Sequence, residues 1–427
     1  MAITVNQTPQ QFQPVYNPYI IVMSSDNSGE DNFKILLGVY DNTDVNNSSQ
    51  ITILQNPTNT DGYAVFDLSR IVRDYVTHDF ELGVALTSNC PNSIKRITCL
   101  AQEVFGTIPS PTGSITTIGA ATTTSSLYLW NGSLEFDTFA SYSKNDYLLK
   151  YSNINSNKWL TRFDVSTGFD MSLNQNGYCH LLCESLDGSD NVQILVDSVK
   201  IKTYTSAGTL IDTYEVNVDY NTDFDTTTGY MIRVPIGTYN ISQINALDFI
   251  SGSQPVFTNS VAYYTVQPVS ALYGDGYPLR VNIVDYCDSP KMFRLHWLNR
   301  LGGFDSFNFS KYYTENSAIQ RVGYKRPYGT VSAGSWSYNK SDNQKVNMIN
   351  TLNKTYTIQT DWISESELAV MEELLTSPVV YYEQDATNLV SVNVVDTSFE
   401  SKYHHKDKVF NLTLTIELTY DYKSQTY

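Results

Sequence analysis

Residues able to do chemistry are sparse in this chain, and the first to examine is Cys179-His180-Leu181-Leu182-Cys183. It brackets an imidazole between two thiols, the donor types of a zinc site. Its setting, Gly177-Tyr178 before and Leu181-Leu182 within, describes a buried strand, and no second ligand pair follows at zinc spacing. Core packing is therefore the reading, since cysteine is among the most buried residue types. Asp219, Asn221 and Asp223 imitate the first half of a calcium loop, but Phe224 stands where glycine is required and Tyr230 where the bidentate glutamate belongs. An acidic β-loop could still hold calcium in another geometry. His404-His405 sit among charges ahead of the last strand and read as solvated. His296, Arg300 and Asp305 gather around a Gly-Gly turn and are considered below. There is no Gly-x-Ser-x-Gly, phosphate loop, His-Glu-x-x-His or dinucleotide fingerprint. Carboxylate pairs for glycoside hydrolysis are set by distance in space, and nothing in the sequence points to one. The expectation is a chain with no catalytic residue, no metal and no cofactor.

The elements that would position any of these groups are strands. The run Leu295-His296-Trp297-Leu298-Asn299-Arg300-Leu301-Gly302-Gly303-Phe304-Asp305-Ser306-Phe307-Asn308-Phe309 reads as strand, tight turn, aromatic strand. Phe293, Leu295 and Trp297 share one face by alternation, with Arg294 and His296 on the other. Gly302 and Gly303 supply the positive φ values that a short hairpin demands. The run thus reads as a scaffold. Trp297, Arg300, Phe304 and Phe307, with Lys325 and Arg326 in the segment after it, are candidate packing or subunit-contact residues.

Composition supports the same view. Charged residues are only 17% of the chain, and polarity comes instead from Asn, Thr, Ser and Tyr, with 32 Tyr against 18 Phe and 5 Trp. Tyr, Thr and Val suit pleated surfaces, and Asn, Ser, Asp and Gly suit the turns between them. A Tyr-rich surface also suits contact with proteins or glycans, although tyrosines filling sheets would explain the same count. The net charge of −17 argues against a general nucleic-acid binder and against a polybasic membrane anchor. Lys311, Arg321, Lys325, Arg326 and Lys340, against Asp305, Glu315 and Asp342, form a local basic patch. It could meet an acidic neighbour, such as another copy of the chain, though solvated loop charges are the simpler reading. The N-terminus has no basic and apolar leader pattern, and no run is long and apolar enough to span a membrane. The five cysteines (Cys90, Cys99, Cys179, Cys183 and Cys287) are odd in number and irregularly spaced, as expected for reduced thiols.

At 427 residues two or three domains are expected. The fold class is mainly β, all-β to α+β, with two β-sandwich-like domains followed by a small C-terminal α+β module with one helix. Residues 1–106 form an N-terminal sandwich. It takes strands over Tyr19 to Met23, Phe33 to Tyr40, Ile51 to Leu54, Tyr63 to Phe66 and Ile94 to Phe105. A short helix capped by Asp67 buries Leu68, Ile71, Val72, Tyr75 and Val76. Residues 107–126, rich in Pro, Gly, Ser and Thr, are a linker or projecting loop. Residues 127–345 form a central β-rich domain whose cleanest hairpin is Val199 to Thr205 with Leu210 to Val218. Gly323 to Lys345 reads as a long loop. Residues 346–427 form a strand-helix-strand module. Ser364 and Glu367 make a capping box for a helix bearing Leu368, Met371, Leu374 and Leu375. A last strand alternates strictly from Phe410 to Tyr420.

Three more stretches, taken with the hairpin, carry a resemblance. They are Tyr16-Asn17-Pro18-Tyr19-Ile20-Ile21-Val22-Met23-Ser24-Ser25, Asp61-Gly62-Tyr63-Ala64-Val65-Phe66-Asp67-Leu68-Ser69-Arg70-Ile71 and Leu127-Tyr128-Leu129-Trp130-Asn131-Gly132. In this order the chain resembles particle proteins of crAss-like and related tailed phages of Bacteroidetes-type hosts. The resemblance implies a non-enzymatic virion component, a ring subunit of the tail or neck-to-tail barrel, assembled in the bacterial cytoplasm. Its partners would be copies of itself and other tail or neck proteins, with no sequence-specific nucleic acid and no membrane insertion. It transfers no catalytic residues. The composition fits, because ring subunits meet through unlike faces and an acidic lumen repels passing DNA. A tail-fibre or adhesin component binding host glycan is the alternative. It would show aromatic platforms on exposed loop tips and trimeric repeats, and no internal repeat is visible. An enzyme would show converging carboxylates in a cleft.

Overall fold

Runs of Tyr, Thr, Val and Ile broken by Asn-, Gly- and Asp-bearing turns fold as sheets, and the chain is mainly β, with 49% of it in strands and 11% in helix. The computed structural model describes residues 3–41, 49–106, 127–184, 195–219, 229–285, 291–396, 409–420 and 422–423. The 107–126 linker, Asn221, Asp223, Cys287, His404 and His405 lie outside the described residues. The chain divides into two units. The first comprises Met1–Asp285 and Leu298–Ser306, and the second Tyr286–Trp297 and Phe307–Tyr427.

These divisions differ from the boundaries expected at residues 106 and 345. Leu127–Trp130, expected to open the central domain, pairs antiparallel with Ile94–Val104 and parallel with Phe12–Pro14. It therefore lies inside the sheet of the N-terminal region. Lys345–Gln359 pairs along its length with Tyr312–Lys325, so a cut at 345 would split a hairpin. Composition marks where the chain turns polar and carries no information about which strands pair across the polar segment.

In the first unit, Ile3–Gln7, Ile20–Ser25 and Tyr63–Asp67 form one sheet. Phe12–Pro14, Leu127–Trp130, Ile94–Val104, Lys34–Asp41 and Ser49–Asn56 form a second, in that order. Ile21, Met23 and Phe66 from the first sheet bury against Ile35, Leu37, Val39 and Ile97 from the second, as the alternation of each strand dictates. The helix is shorter than expected. It spans Ser69–Val72 and tightens into a 3-10 turn at Arg73–Tyr75, leaving Tyr75 42% exposed while Leu68, Val72 and Val76 stay in the core. Asp67 does accept the Ser69 N–H, at 3.0 Å. A four-stranded sheet runs Leu148–Leu149, Tyr178–Glu184, Gly229–Pro235, Ser88–Asn89. A further sheet contains the expected hairpin, Ser198–Tyr204 with Leu210–Asn217, turned at Gly208 with φ +81°.

The second unit is built on one large sheet. Its order is Phe304–Phe309, Phe293–Leu298, Val380–Asp385, Asn388–Val394, Thr413–Leu418, Lys345–Gln359, Tyr312–Lys325. The helix Glu365–Thr376 starts at the expected capping box: Ser364 Oγ accepts the Glu367 N–H, and Glu367 Oε2 accepts the Ser364 N–H. It buries Leu368, Val370, Met371 and Leu374. The last strand is interrupted. Val409–Phe410 pairs with Ile363–Ser364, and Thr413–Leu418 pairs elsewhere. Between them the Leu412 N–H is taken by Thr360 Oγ1 and the Asn411 side chain donates to the Thr360 carbonyl. Gly323 to Lys345 is not a loop. It holds the end of Tyr312–Lys325 and a small hairpin, Thr330–Ser332 with Ser335–Ser337.

Candidate functional site

The strand Phe293–Leu298 is buried on both faces, so Arg294 and His296 do not look outward. Arg294 stands directly opposite Glu383 in the ladder with Val380–Asp385. Its Nε lies 3.3 Å from Glu383 Oε2, and one of its terminal nitrogens donates to Asn308 Oδ1 at 2.9 Å. His296 Nε2 lies 2.7 Å from the same Glu383 oxygen. Burial pushes the His296 pKa below its ordinary value, with the Arg294 guanidinium acting in the same direction and Glu383 opposing both. The ring is neutral, and its Nε2–H donates to the carboxylate. A histidine oriented by a carboxylate is half of a hydrolytic triad. Here, however, the side chains of His296 and Glu383 are only 1% and 4% exposed. The carboxylate neutralises a buried guanidinium and satisfies a buried imidazole, which is structural work. Beside it Phe293 stacks on Tyr382 at 4.8 Å, and Lys291 Nζ caps that ring cluster at 4.7 Å from the Phe293 centroid.

The turn of the hairpin belongs to the first unit and is organised by Asn299, whose role no local sequence pattern announces. Its Oδ1 accepts the N–H groups of Leu301 and Gly303, and its Nδ2 donates to the Leu160 carbonyl and to Asp305 Oδ2. Of the two glycines only Gly302 has a positive φ, +87°. Gly303 is needed for a different reason: a Cβ there would sit 2.8 Å from the Leu160 carbonyl oxygen. Arg300 pairs with Glu135, and Phe304 is buried at 4.4 Å from the Phe80 ring. His296, Arg300 and Asp305, neighbours in sequence, thus each serve a different partner and form no common site.

Cys179-His180-Leu181-Leu182-Cys183 falls on the fully buried strand Tyr178–Glu184. Alternation puts Cys179 and Cys183 on one face and His180 on the other, so the three cannot converge on an ion. No metal-holding group of His, Cys, Asp or Glu exists among the described residues. Burial raises the pKa of both thiols, and neither forms a disulfide. His180 Nδ1 accepts the backbone N–H of Phe304 at 3.2 Å. Burial, helped by Arg233 directly opposite in the ladder, lowers its pKa to about 3.

The remaining candidates lie on the second unit. Trp297 is fully buried and Phe307 is half-buried, edge-on to Phe309. Lys325 and Arg326 are on an exposed ribbon. Tyr312–Lys325 is exposed at nearly every position, and beyond Thr351 toward the tip its partner strand pairs with no third strand among the described residues. At the tip Tyr328, Trp336 and Tyr338 pack on one another with centroids 5.1 to 5.3 Å apart. Trp336 Nε1 donates to the Tyr328 carbonyl, yet Trp336 and Tyr338 remain 52% and 58% exposed. This aromatic tip was missed in the sequence. The pattern Val331-Ser332-Ala333-Gly334-Ser335-Trp336 was its signal, because a two-residue turn ending in glycine between β-formers marks a hairpin.

No family model matches the chain, and no curated protein does. Among solved structures it is similar to the native conformation of Escherichia coli alpha-2-macroglobulin, at 6% identity and a TM-score of 0.19, over 86% of this chain and 22% of that one. It is similar also to the trypsin-activated form of that protein, at 6% identity and a TM-score of 0.19, over 99% of this chain and 34% of that one. The chain thus spans well under half the length of these proteins, and likeness at this level carries no argument.

Proposed function

We propose that the chain is a non-enzymatic structural subunit of a multi-copy assembly, a ring in the tail or neck-to-tail barrel of a tailed bacteriophage. Its working surface is the ribbon formed by Tyr312–Lys325 and Lys345–Gln359. Beyond Thr351 toward the tip this ribbon has two strands among the described residues, and that observation carries the reading, since a two-stranded ribbon is marginal in water by itself. One that also exposes Tyr324, Val331, Trp336 and Tyr338 is a surface suited to being covered by a partner. The buried ionisable groups described above point the same way: Glu383 holds Arg294 and His296 within the second unit, and His180 accepts the Phe304 N–H within the first. The resemblance of four segments to crAss-like phage particle proteins supplies the kind of assembly. On this reading the partners are copies of the chain and neighbouring tail or neck proteins, the virion is the location, and the acidic bulk keeps DNA from adhering.

A second reading has one observation in its favour. An aromatic cluster at an exposed tip is what a glycan-binding adhesin would present. Mass measurement of the full chain followed by imaging separates the two. Closed rings of many copies that co-purify with particles support the proposal. A chain that stays monomeric at high concentration and apart from particles overturns it. A trimer that binds host glycan moves the assignment to the adhesin.

A further inference from the structure

The ribbon and its tip differ in charge from the rest of the chain. Residues 312–359 carry six basic side chains (Arg321, Lys325, Arg326, Lys340, Lys345 and Lys354) against Glu315 and Asp342, a local charge of +4 on a chain of −17, which leaves −21 for everything else. Within the ribbon Lys354 pairs with Glu315 at 2.6 Å, and Arg326 Nε donates to the Asn343 carbonyl at 3.2 Å. The ladder places Lys325 directly opposite Lys345, with Arg326 next in the chain. Like charges facing across a ribbon are unfavourable unless an anionic surface meets them. Within this basic frame stand the exposed rings of Trp336 and Tyr338. Aromatic anchors beside arginine and lysine at a polar rim match the anatomy of a protein-binding hot spot.

We infer that this arm docks on an acidic face of a second copy of the same chain, outside that copy's own arm. The inference rests on the structural-subunit reading and adds the polarity of the contact. Arm against arm would oppose two surfaces of like sign. Arm against body joins +4 to a remainder of −21. The contact is therefore head-to-tail, the kind that closes into rings or grows into filaments. A nucleic acid would also attract the arm, but the same −21 repels a polyanion brought up to it. A protein copy brings the complementary charge without that opposition.

The test uses the full-length protein. A triple variant, Arg321→Glu with Lys325→Glu and Lys340→Glu, alters only exposed positions on the ribbon and its tip, so its circular dichroism and thermal midpoint should match the wild type. Its assembly, followed by sedimentation, should need at least tenfold more protein, and added salt should weaken wild-type assembly more than that of the variant. A photo-crosslinking residue at Tyr338, in a mixture of isotopically heavy and light chains, should give heavy-to-light products mapping outside 312–359. Equal assembly of wild type and triple variant overturns the arm contact while leaving the structural-subunit reading intact, as do crosslinks joining arm to arm. A wild type that never assembles overturns both. Retention of a DNA duplex at physiological salt by the wild type and its loss in the triple variant would assign the arm to nucleic acid and overturn the contact.

Discussion

His296 Nε2 and Glu383 Oε2 lie 2.7 Å apart although 87 residues separate them in the chain, and the same oxygen is 3.3 Å from Arg294 Nε. One carboxylate thus satisfies two buried bases. Replacing Glu383 with Ala leaves a guanidinium and an imidazole without it. Breaking a buried pair from one side typically costs about 3–5 kcal/mol. Chemical denaturation should show a loss of that order for Glu383→Ala, with a smaller loss for Glu383→Gln, which keeps an acceptor. Equal, small losses for both variants would remove the pair from the unit's stability.

Acid should destabilise the protein through its buried histidines. His180, held neutral with a folded-state pKa of about 3 against an ordinary 6.5, binds its proton more readily once unfolded. His296 is shifted in the same direction. The His180 contribution is complete above pH 6.5 and declines as pH falls, by about 1.4 kcal/mol per pH unit, until its folded form also protonates. For His180 this window extends down to pH 3. His180→Asn keeps an acceptor for the Phe304 N–H and does not titrate. Its unfolding free energy should fall less steeply between pH 6 and pH 4 than that of the wild type, and parallel slopes would refute the assignment.

Trp297 is fully buried opposite Val380. Trp297→Ala should cost about 3–5 kcal/mol, the range for emptied aromatic positions, with partial recovery in Trp297→Phe. The thermal midpoint is the readout, and an unchanged midpoint in the alanine variant would exclude a core role.

Gly302→Ala should destabilise more than an ordinary glycine replacement. The position has φ +87°, and a Cβ there would approach the Asn131 carbonyl oxygen to 2.5 Å. Left-handed backbone alone costs a non-glycine residue about 1–2 kcal/mol, and the contact adds to it. Gly29→Ala, with open space around the added carbon, is the control, and urea midpoints compare them.

Features set by nearest neighbours were legible in the sequence. The 198–217 hairpin, the capping box at Ser364 and Glu367, and the alternation of the N-terminal strands all follow from a few adjacent residues. What failed depended on partners far along the chain. Arg294 and His296 alternate with apolar neighbours as a solvent-facing set would, and Glu383, joined on Arg294 by Asn308, compensates their burial. The strict alternation from Phe410 to Tyr420 gives no hint that Thr360 interrupts it. The 323–345 segment has the composition of a loop, yet Val322, Tyr324, Val346 and Ile349 lock it into a ladder. The candidate site was half visible for the same reason: Lys325 and Arg326 stood out as charges, while the rings that frame them become neighbours only after the ribbon folds.

The division of the chain bears on its synthesis and on its evolution. After Asp285 the polypeptide leaves the first unit, gives Tyr286–Trp297 to the second, and returns with Leu298–Ser306 before departing for good. A ribosome must therefore deliver the first strand of the second unit before the last piece of the first. Neither unit can be completed while the other is wholly unsynthesised. No single recombination crossover can transplant either unit intact. Two units stitched in this way are inherited together, and variation between lineages should collect in the exposed arm rather than in exchange of whole units.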